Sequence, residues 1–399
     1  MKESGILERY GLTRVINVSG TMTALGASRV VPEAIEAGAE IQSHFVRIDE
    51  LQAKASEAIA RLTGAEAGFV TACSAAAMSM GVCGCMTGTN LNRIELLPDT
   101  GGLPNEVVVQ AGHLVNYGAP INQAVRLTGA RIVPLGTAAL VNFYNLEDSI
   151  GEQTAAALFV VSHHVVQEGQ IALEEFVSIC KARGVPVIVD MASEYNLRSA
   201  IELGAELVIY SSHKFMGGPT GGIVAGRKEL VRAAYLQNKG LGRHMKIGKE
   251  GIIGTIAALE AWERRDHEAA YGREQEYVDH WREALGSVPG LRLETHHDWT
   301  DNPIDRLKIS VDPVEAALYA WELADRLSAG EPSVQVRDDL IEHGYFFLDP
   351  CNLEPGEELI VGRRIAEEVQ SARTNGDGHL YSLSDRKRRG IKAALKWPD

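Results

Sequence analysis

Between about residue 65 and residue 226, short apolar runs alternate with stretches whose apolar residues recur at helical spacing. Residues 68–72, 106–110, 131–134, 157–161, 185–190 and 206–210 are the apolar runs and predict strands. Residues 75–80, 121–127 and 173–182 predict the helices between them. Strands alternating with helices of this length imply βαβ units and a mainly parallel sheet. A long helix is predicted over 251–265, leaving this region. After about residue 275 the pattern changes: strands at 291–295 and 307–311, a helix at 314–327 and further helices give a smaller α+β domain. The first sixty residues hold an amphipathic stretch at 32–42 and little else. The expectation is an α/β fold in three parts: an N-terminal segment over 1–60, a large domain over 61–265 and a small C-terminal domain over 266–399.

Composition adds constraints. The chain has 399 residues, 45% hydrophobic and 23% charged, an ordinary balance for a globular protein with a sizeable core. Its 40 glycines are one residue in ten, above the usual share of about 7%, and they cluster at strand ends and turns. A net charge of −14 argues against a nucleic-acid partner, since no basic stripe is on hand to neutralise phosphates. No apolar run approaches the roughly 20 residues of a membrane span, so no membrane partner is expected. The start, Met1 to Gly5, lacks the apolar core of a secretory signal, and a cytoplasmic location is expected. Cys73, Cys83, Cys85, Cys180 and Cys351 are odd in number with no CxxC pair, which points to reduced thiols and no metal site.

The densest chemical signal is Ser211-Ser212-His213-Lys214-Phe215-Met216-Gly217-Gly218-Pro219-Thr220-Gly221-Gly222. A lysine just past a buried strand, followed by two glycine pairs, suits an amine that must reach a carbonyl cofactor. Such a lysine forms the Schiff base in pyridoxal-phosphate enzymes. Asp190 ends another predicted strand 24 residues earlier, with small residues, Met191 and Ala192, next to it. Parallel strands bring both side chains to one crevice, where a carboxylate keeps the cofactor's pyridine nitrogen protonated. Capping of the following helix is the alternative role for Asp190.

Five further groups surround that pair. Cys73, Ser74 and Ala75 stand between a strand and a helix start, where free N–H groups and the Ser74 hydroxyl form a phosphate cradle; a plain helix cap is the alternative. Ser211 and Ser212 are further phosphate ligands. His113 follows the strand over 106–110 and is placed to stack on the pyridine face and relay a proton, unless it is a surface loop histidine. His163 and His164 follow the strand over 157–161, and one of them reaches the phenolic oxygen; sequence does not separate them, and His163 stands as the candidate. His213, beside the lysine, is a candidate proton carrier.

Together, Ser74, His113, Asp190 and Lys214 resemble a fold-type-I pyridoxal-phosphate enzyme. Val15-Ile16-Asn17-Val18-Ser19-Gly20-Thr21, Asp49-Glu50-Leu51-Gln52, Gly64-Ala65-Glu66-Ala67 and the segment over 241–250 are similar to one branch of that fold. It contains bacterial selenocysteine synthase (seryl-tRNA selenium transferase) and D-glucosaminate-6-phosphate ammonia-lyase. The resemblance covers roughly residues 12–265 well and the last third loosely. It implies a mostly parallel seven-stranded sheet, a small C-terminal α+β domain and a homodimer or higher homo-oligomer with active sites at the subunit boundary. It implies pyridoxal 5'-phosphate as cofactor, Lys214 as the Schiff-base residue and Asp190 as the partner of the ring nitrogen. It also suggests that Arg243 or Lys246 reaches the phosphate of a neighbouring subunit's cofactor. Against selenocysteine synthase, no extra N-terminal tRNA-gripping domain is expected, and the chain is acidic, which argues against a tRNA substrate.

Asn17 and Arg363 complete the set as candidate substrate-binding residues, Arg363 through a bidentate contact to a carboxylate. A solvent-facing helix arginine is its alternative. The expected reaction is Cα deprotonation of a small amino acid or sugar amino acid by Lys214, followed by α,β-elimination to a 2-keto acid and ammonia. A racemase, an aldolase or a transaminase shares the early steps, and a non-catalytic pyridoxal-phosphate-binding regulator is the competitor from another class.

Overall fold

The computed structural model describes residues 5–398; Met1–Ser4, part of the stretch read for a signal, lie outside the described residues. Twelve strands occur among the described residues: β1 (Val15–Val18), β2 (Ala67–Thr71), β3 (Glu106–Gln110), β4 (Arg131–Leu135), β5 (Thr154–Val160), β6 (Val187–Asp190), β7 (Leu207–Ser211), β8 (Gly222–Gly226), β9 (Leu291–His297), β10 (Asp305–Val311), β11 (Ser333–Val336) and β12 (Tyr345–Leu348). The chain folds as two compact units, one of Ser28–Arg265 and one of Met1–Ala27 with Asp266–Asp399. The expected segment over 1–60 therefore does not stand alone. Its first part pairs β1 with β11 in parallel register inside the smaller unit. Its second part carries the helices Pro32–Ile41 and Ile48–Thr63 of the larger one.

In the larger unit seven strands form one sheet, in the order β2-β8-β7-β6-β5-β3-β4. All but β8 run the same way, because β8 pairs antiparallel with both β2 and β7. Alternation along each strand explains the layering. Val187, Val189, Val208 and Tyr210 enter one core with Phe159, Phe176 and Leu259. Ile188, Leu207 and Ile209 enter the other with Met78, Val82 and Val231. With both faces covered by helices, the strands read as continuous apolar runs, which is why they are visible in the sequence. Every parallel strand delivers its carboxyl end to the same edge of the sheet, and there the candidate residues collect.

In the smaller unit β12-β10-β9 form an antiparallel sheet, and helices Ala320–Ala329 and Glu357–Asn375 cover a core of Trp281, Leu307, Ile309, Phe346 and Val361. The helix expected over 314–327 starts later, at Ala320. The Asp312 side chain holds the amides of Val314 and Glu315 in a turn, Ala317 takes a positive φ of 59°, and a Tyr319–Glu322 capping box begins the helix. Strands β11 and β12 lie where the sequence pattern suggested helices. Among the described residues no helix is long and apolar enough to cross a membrane.

Candidate active site

Lys214 follows β7 in a tight loop. The Ser212 amide donates to the Gly221 carbonyl at 2.9 Å, the Gly218 amide to the Ser212 carbonyl at 2.8 Å and the Gly217 amide to the Lys214 carbonyl at 3.0 Å. Gly217 has a φ of +64°, which disfavours any side chain there. A Cβ on Gly218 would fall on the Ser212 hydroxyl, so the chain folds back only because that residue has none. The two glycine pairs thus shape the loop that presents the lysine.

Asp190 ends the neighbouring strand β6, is 8% exposed, and its Oδ1 meets no partner among the described residues. Burial pushes its carboxyl up to about 6, against the pull of the Lys214 ammonium and the Ala192 amide. The two groups sense each other, as their places on adjacent parallel strands require. A buried carboxylate oxygen without a donor is an unusual feature in a native structure and invites a cationic N–H.

The cradle is built from the end of β2. Thr71 Oγ1 donates to the Cys73 carbonyl at 2.9 Å, and Cys73 Sγ accepts the Ala76 amide at 3.4 Å, capping the helix Ser74–Thr87. The first amides of that helix, those of Ser74 and Ala75, have no carbonyl within the helix to meet. Gly222 packs so tightly that a Cβ there would fall on the Cys73 carbonyl. The Ser211 hydroxyl is buried without a partner, whereas the Ser212 hydroxyl accepts from Thr255 Oγ1 at 3.0 Å. Of the two serines expected to hold phosphate, only Ser211 is uncommitted. These features fit pyridoxal 5'-phosphate: an orphaned carboxylate for the ring nitrogen, amides and a hydroxyl for the phosphate, and an amine for the carbonyl.

The histidines are placed less simply. His113 is buried; its Nδ1 accepts the Val160 amide at 3.1 Å and its ring meets Phe159 edge-on at 4.5 Å. Burial lowers its pKa to about 4, so the imidazole is neutral and ill suited to relay a proton at neutral pH. Its packing between β3 and β5 makes it neither a surface loop residue nor a free ring. His163 and His164 lie with ring centroids 3.7 Å apart. His213 is buried with Nδ1 unpartnered, and burial, then the Lys214 charge, lower its pKa.

Tyr117 escaped the sequence reading. Burial, reinforced by the negative charge of Asp190, pushes its phenol up to about 12. The available signal was an aromatic residue in the connection after β3, four positions beyond His113. In the smaller unit, Asn17 spends its side chain on its own turn: Nδ2 donates to the Gly20 carbonyl and Oδ1 accepts the Ser19 amide, both at 2.9 Å. The Arg363 side chain is 66% exposed and faces Glu367 at 3.7 Å. It stands as a solvent-facing helix arginine, because its position on Glu357–Asn375 points away from the core that Val361 and Ile365 enter.

Comparison with known proteins matches residues 15–271 to the family described as SelA: L-seryl-tRNA selenium transferase. D-glucosaminate-6-phosphate ammonia lyase of Salmonella typhimurium is 38% identical over 367 residues, 92% of this chain and 98% of that protein. The 5'-C-glycyluridine monooxygenase-decarboxylase of a Streptomyces species is 34% identical over 362 residues, 90% of this chain and 91% of that one. A solved structure of D-glucosaminate-6-phosphate ammonia-lyase superposes with a TM-score of 0.84 at 37% identity, covering 93% of this chain and 100% of that chain. The fold is that of the fold-type-I pyridoxal-phosphate enzymes.

Proposed function

Because this chain belongs to the SelA family, we propose that it is a pyridoxal-phosphate-dependent ammonia lyase whose substrate is a 2-amino acid with a β-hydroxyl, of the sugar amino acid class. The observation that carries the reading is the likeness to the Salmonella ammonia lyase along 98% of that enzyme's length. The pairing of Asp190 with Lys214 and the uncommitted Ser211 hydroxyl support the same conclusion from geometry. The chain's net charge of −14 favours a small-molecule substrate over a tRNA.

Bound at this site, pyridoxal phosphate supplies an electron sink for the pair left at Cα. The protein's own groups do the rest. Asp190, ionised beside a cation, keeps the ring nitrogen's proton in place. Ser211 and the amides of Ser74 and Ala75 hold the phosphate. Lys214 would hold the cofactor's carbonyl carbon, and its free amine would take the Cα proton. The β-hydroxyl, protonated by the Lys214 ammonium so formed, then leaves as water, and hydrolysis of the resulting enamine, through its imine, consumes one water and gives a 2-keto-3-deoxy acid and ammonia. His213, neutral through burial, is placed beside the lysine to accept a proton rather than to supply one.

The test is to incubate the holoenzyme with D- and L-serine, D- and L-threonine, and D-glucosaminate with and without a 6-phosphate, in deuterium oxide. Ammonia and 2-keto acid in equal amounts from at least one of them is the expected result. Deuterium at Cα with no ammonia would instead assign the racemase reaction and overturn the proposal.

A further inference from the structure

The loop that carries Lys214 is held from two sides, and both holds lie within the larger unit. The helix Lys249–Arg264 fixes the side where the chain folds back. Thr255 Oγ1 donates to Ser212 Oγ at 3.0 Å, and a Cβ on Gly254 would fall 2.7 Å from the Pro219 ring, so that ring packs directly on the helix. The side that includes the lysine is held by residues 28–31 instead. The Ser28 hydroxyl donates to the His213 carbonyl at 2.8 Å, across 185 positions of chain. The Val31 amide donates to the Gly217 carbonyl at 2.8 Å. A Cβ on Gly217 would fall 2.9 Å from Val31 Cγ1 and 3.2 Å from the Arg29 carbonyl, so this segment lies directly against the loop.

These bonds act on the two peptide planes that flank the Lys214 Cα. Each plane is rigid, so the two together fix the direction in which the Cα–Cβ bond leaves the chain. The plane after the lysine is closed within the loop: the Gly217 amide donates to the Lys214 carbonyl at 3.0 Å, and Val31 anchors Gly217 in turn. The plane before it is held unequally at its two ends. The Lys214 amide reaches the Ser211 carbonyl at 3.4 Å, a long hydrogen bond. The His213 carbonyl takes the 2.8 Å bond from Ser28. The shorter bond sets the plane, and it comes from a side chain outside the loop. Tethering alone does not call for Ser28, because the Val31 bond and the packing of Val31 on Gly217 already join the segment to the loop.

We propose that Ser28 is a positioning residue for Lys214, its hydroxyl acting through the His213 carbonyl to aim the lysine side chain at the carbonyl carbon of the cofactor; this rests on the function proposed above, in which the lysine meets that carbon. A lysine has a flexible four-carbon stem, so a loosely set plane spreads its amine over many positions, and a misplacement of about 1 Å at a reacting atom costs about 100-fold in rate. The phosphate cradle is built from the end of β2 and from Ser211, so loss of the Ser28 hydroxyl leaves it intact.

The test follows the long-wavelength absorbance of the lysine-bound cofactor after the apoprotein is mixed with pyridoxal 5'-phosphate. Pyridoxine 5'-phosphate, which carries an alcohol in place of the aldehyde and cannot bond to a lysine, is titrated in parallel by fluorescence. Ser28→Ala should gain the absorbance about 10- to 100-fold more slowly than wild type while binding the alcohol analogue equally well. Ser28→Thr keeps a hydroxyl donor and should recover most of the rate. Equal rates in Ser28→Ala and wild type, a loss of analogue binding that matches the loss of rate, or a threonine variant as slow as the alanine one would overturn the proposal. Ammonia release by wild type is measured alongside. Cofactor attachment that is slowed in Ser28→Ala, with no ammonia from wild type, refutes the lyase reading and leaves the role of Ser28 standing. Ammonia from wild type with unslowed attachment in Ser28→Ala refutes the positioning role alone, and a wild type that gains no such absorbance overturns both.

Discussion

Replacing Asp190 by asparagine should stabilise the cofactor-free protein while disabling the enzyme. The structure buries this carboxylate with one oxygen unmatched and raises its pKa from 3.8 to about 6. A carboxyl whose folded pKa is raised is most favourable to the fold when protonated, below its unfolded value near 4. That contribution is lost as pH rises through about 6. The rise corresponds to about 3 kcal/mol lost by pH 8. An amide carries no charge to desolvate, so the apo Asp190→Asn variant should gain up to about 3 kcal/mol at pH 8. Near pH 4 it should gain nothing. The assay is urea denaturation of both apoproteins at several pH values from 4 to 8, followed by fluorescence. In the holoenzyme the sign reverses, because the wild-type charge then has a cation to pair with and the variant does not; ammonia release should fall by about 10²- to 10³-fold. An apo variant no more stable than wild type at pH 8, or a gain that persists unchanged at pH 4, would refute the electrostatic reasoning.

Lys214→Ala should abolish the long-wavelength absorbance of the bound cofactor and all ammonia release, and borohydride trapping followed by peptide mapping should label the wild type at position 214 alone. Gly222→Ala would drive a methyl into the Cys73 carbonyl, and the displaced cradle should cost about 1–3 kcal/mol in stability and loosen cofactor retention, measured by dialysis. Ser211→Ala should weaken cofactor retention without destabilising the apoprotein, because its hydroxyl has no bond to lose. Ser212→Ala should do the reverse, losing the Thr255 bond and about 1 kcal/mol in urea denaturation. Arg306→Met, leaving Asp298 and Asp349 buried without their main partner, should cost about 3–5 kcal/mol, against less than about 0.5 kcal/mol for Arg363→Ala at the surface.

The parts of the fold readable in the sequence were those buried on both faces. Strands β5, β6 and β7 are unbroken apolar runs because helices cover each side, and Lys214 and Asp190 stand out as charges at the ends of such runs. Strand β1 escaped because its four residues pair only with β11, more than 300 positions away, so nothing local marks it. The early start expected for the helix Ala320–Ala329 failed for a local reason: Val314, Ala317 and Leu318 supply helical spacing, but the Asp312 turn captures the Val314 and Glu315 amides first. Arg363 and Arg337 show the limit for single residues. Both sit in segments with apolar neighbours, and only tertiary packing exposes one and buries the other beside Trp299. The burial of His113 depends in the same way on Phe159, which sits 46 residues later on another strand.

Buried polar atoms without partners are scarce in folded proteins, because each costs about 1–3 kcal/mol that an apolar replacement would recover. Their distribution here is therefore informative. In the larger unit Asp190 Oδ1, Ser211 Oγ and His213 Nδ1 fall between the end of β6 and the residues just past β7, at the carboxyl edge of adjacent parallel strands, while Gln170 Oε1 and Gln237 Oε1 lie elsewhere. Imperfect packing gives no reason for three such atoms to come from one strand end and the two residues beside one lysine. Structural polar residues nearby behave differently: Ser212, the immediate neighbour of Ser211, is equally buried and accepts a hydrogen bond from Thr255. The same fold thus satisfies one serine and leaves the next one idle. An idle donor and an idle acceptor held within reach of an amine are groups whose partners arrive with a ligand, and the stability that the empty protein forgoes at these positions becomes affinity when the ligand binds.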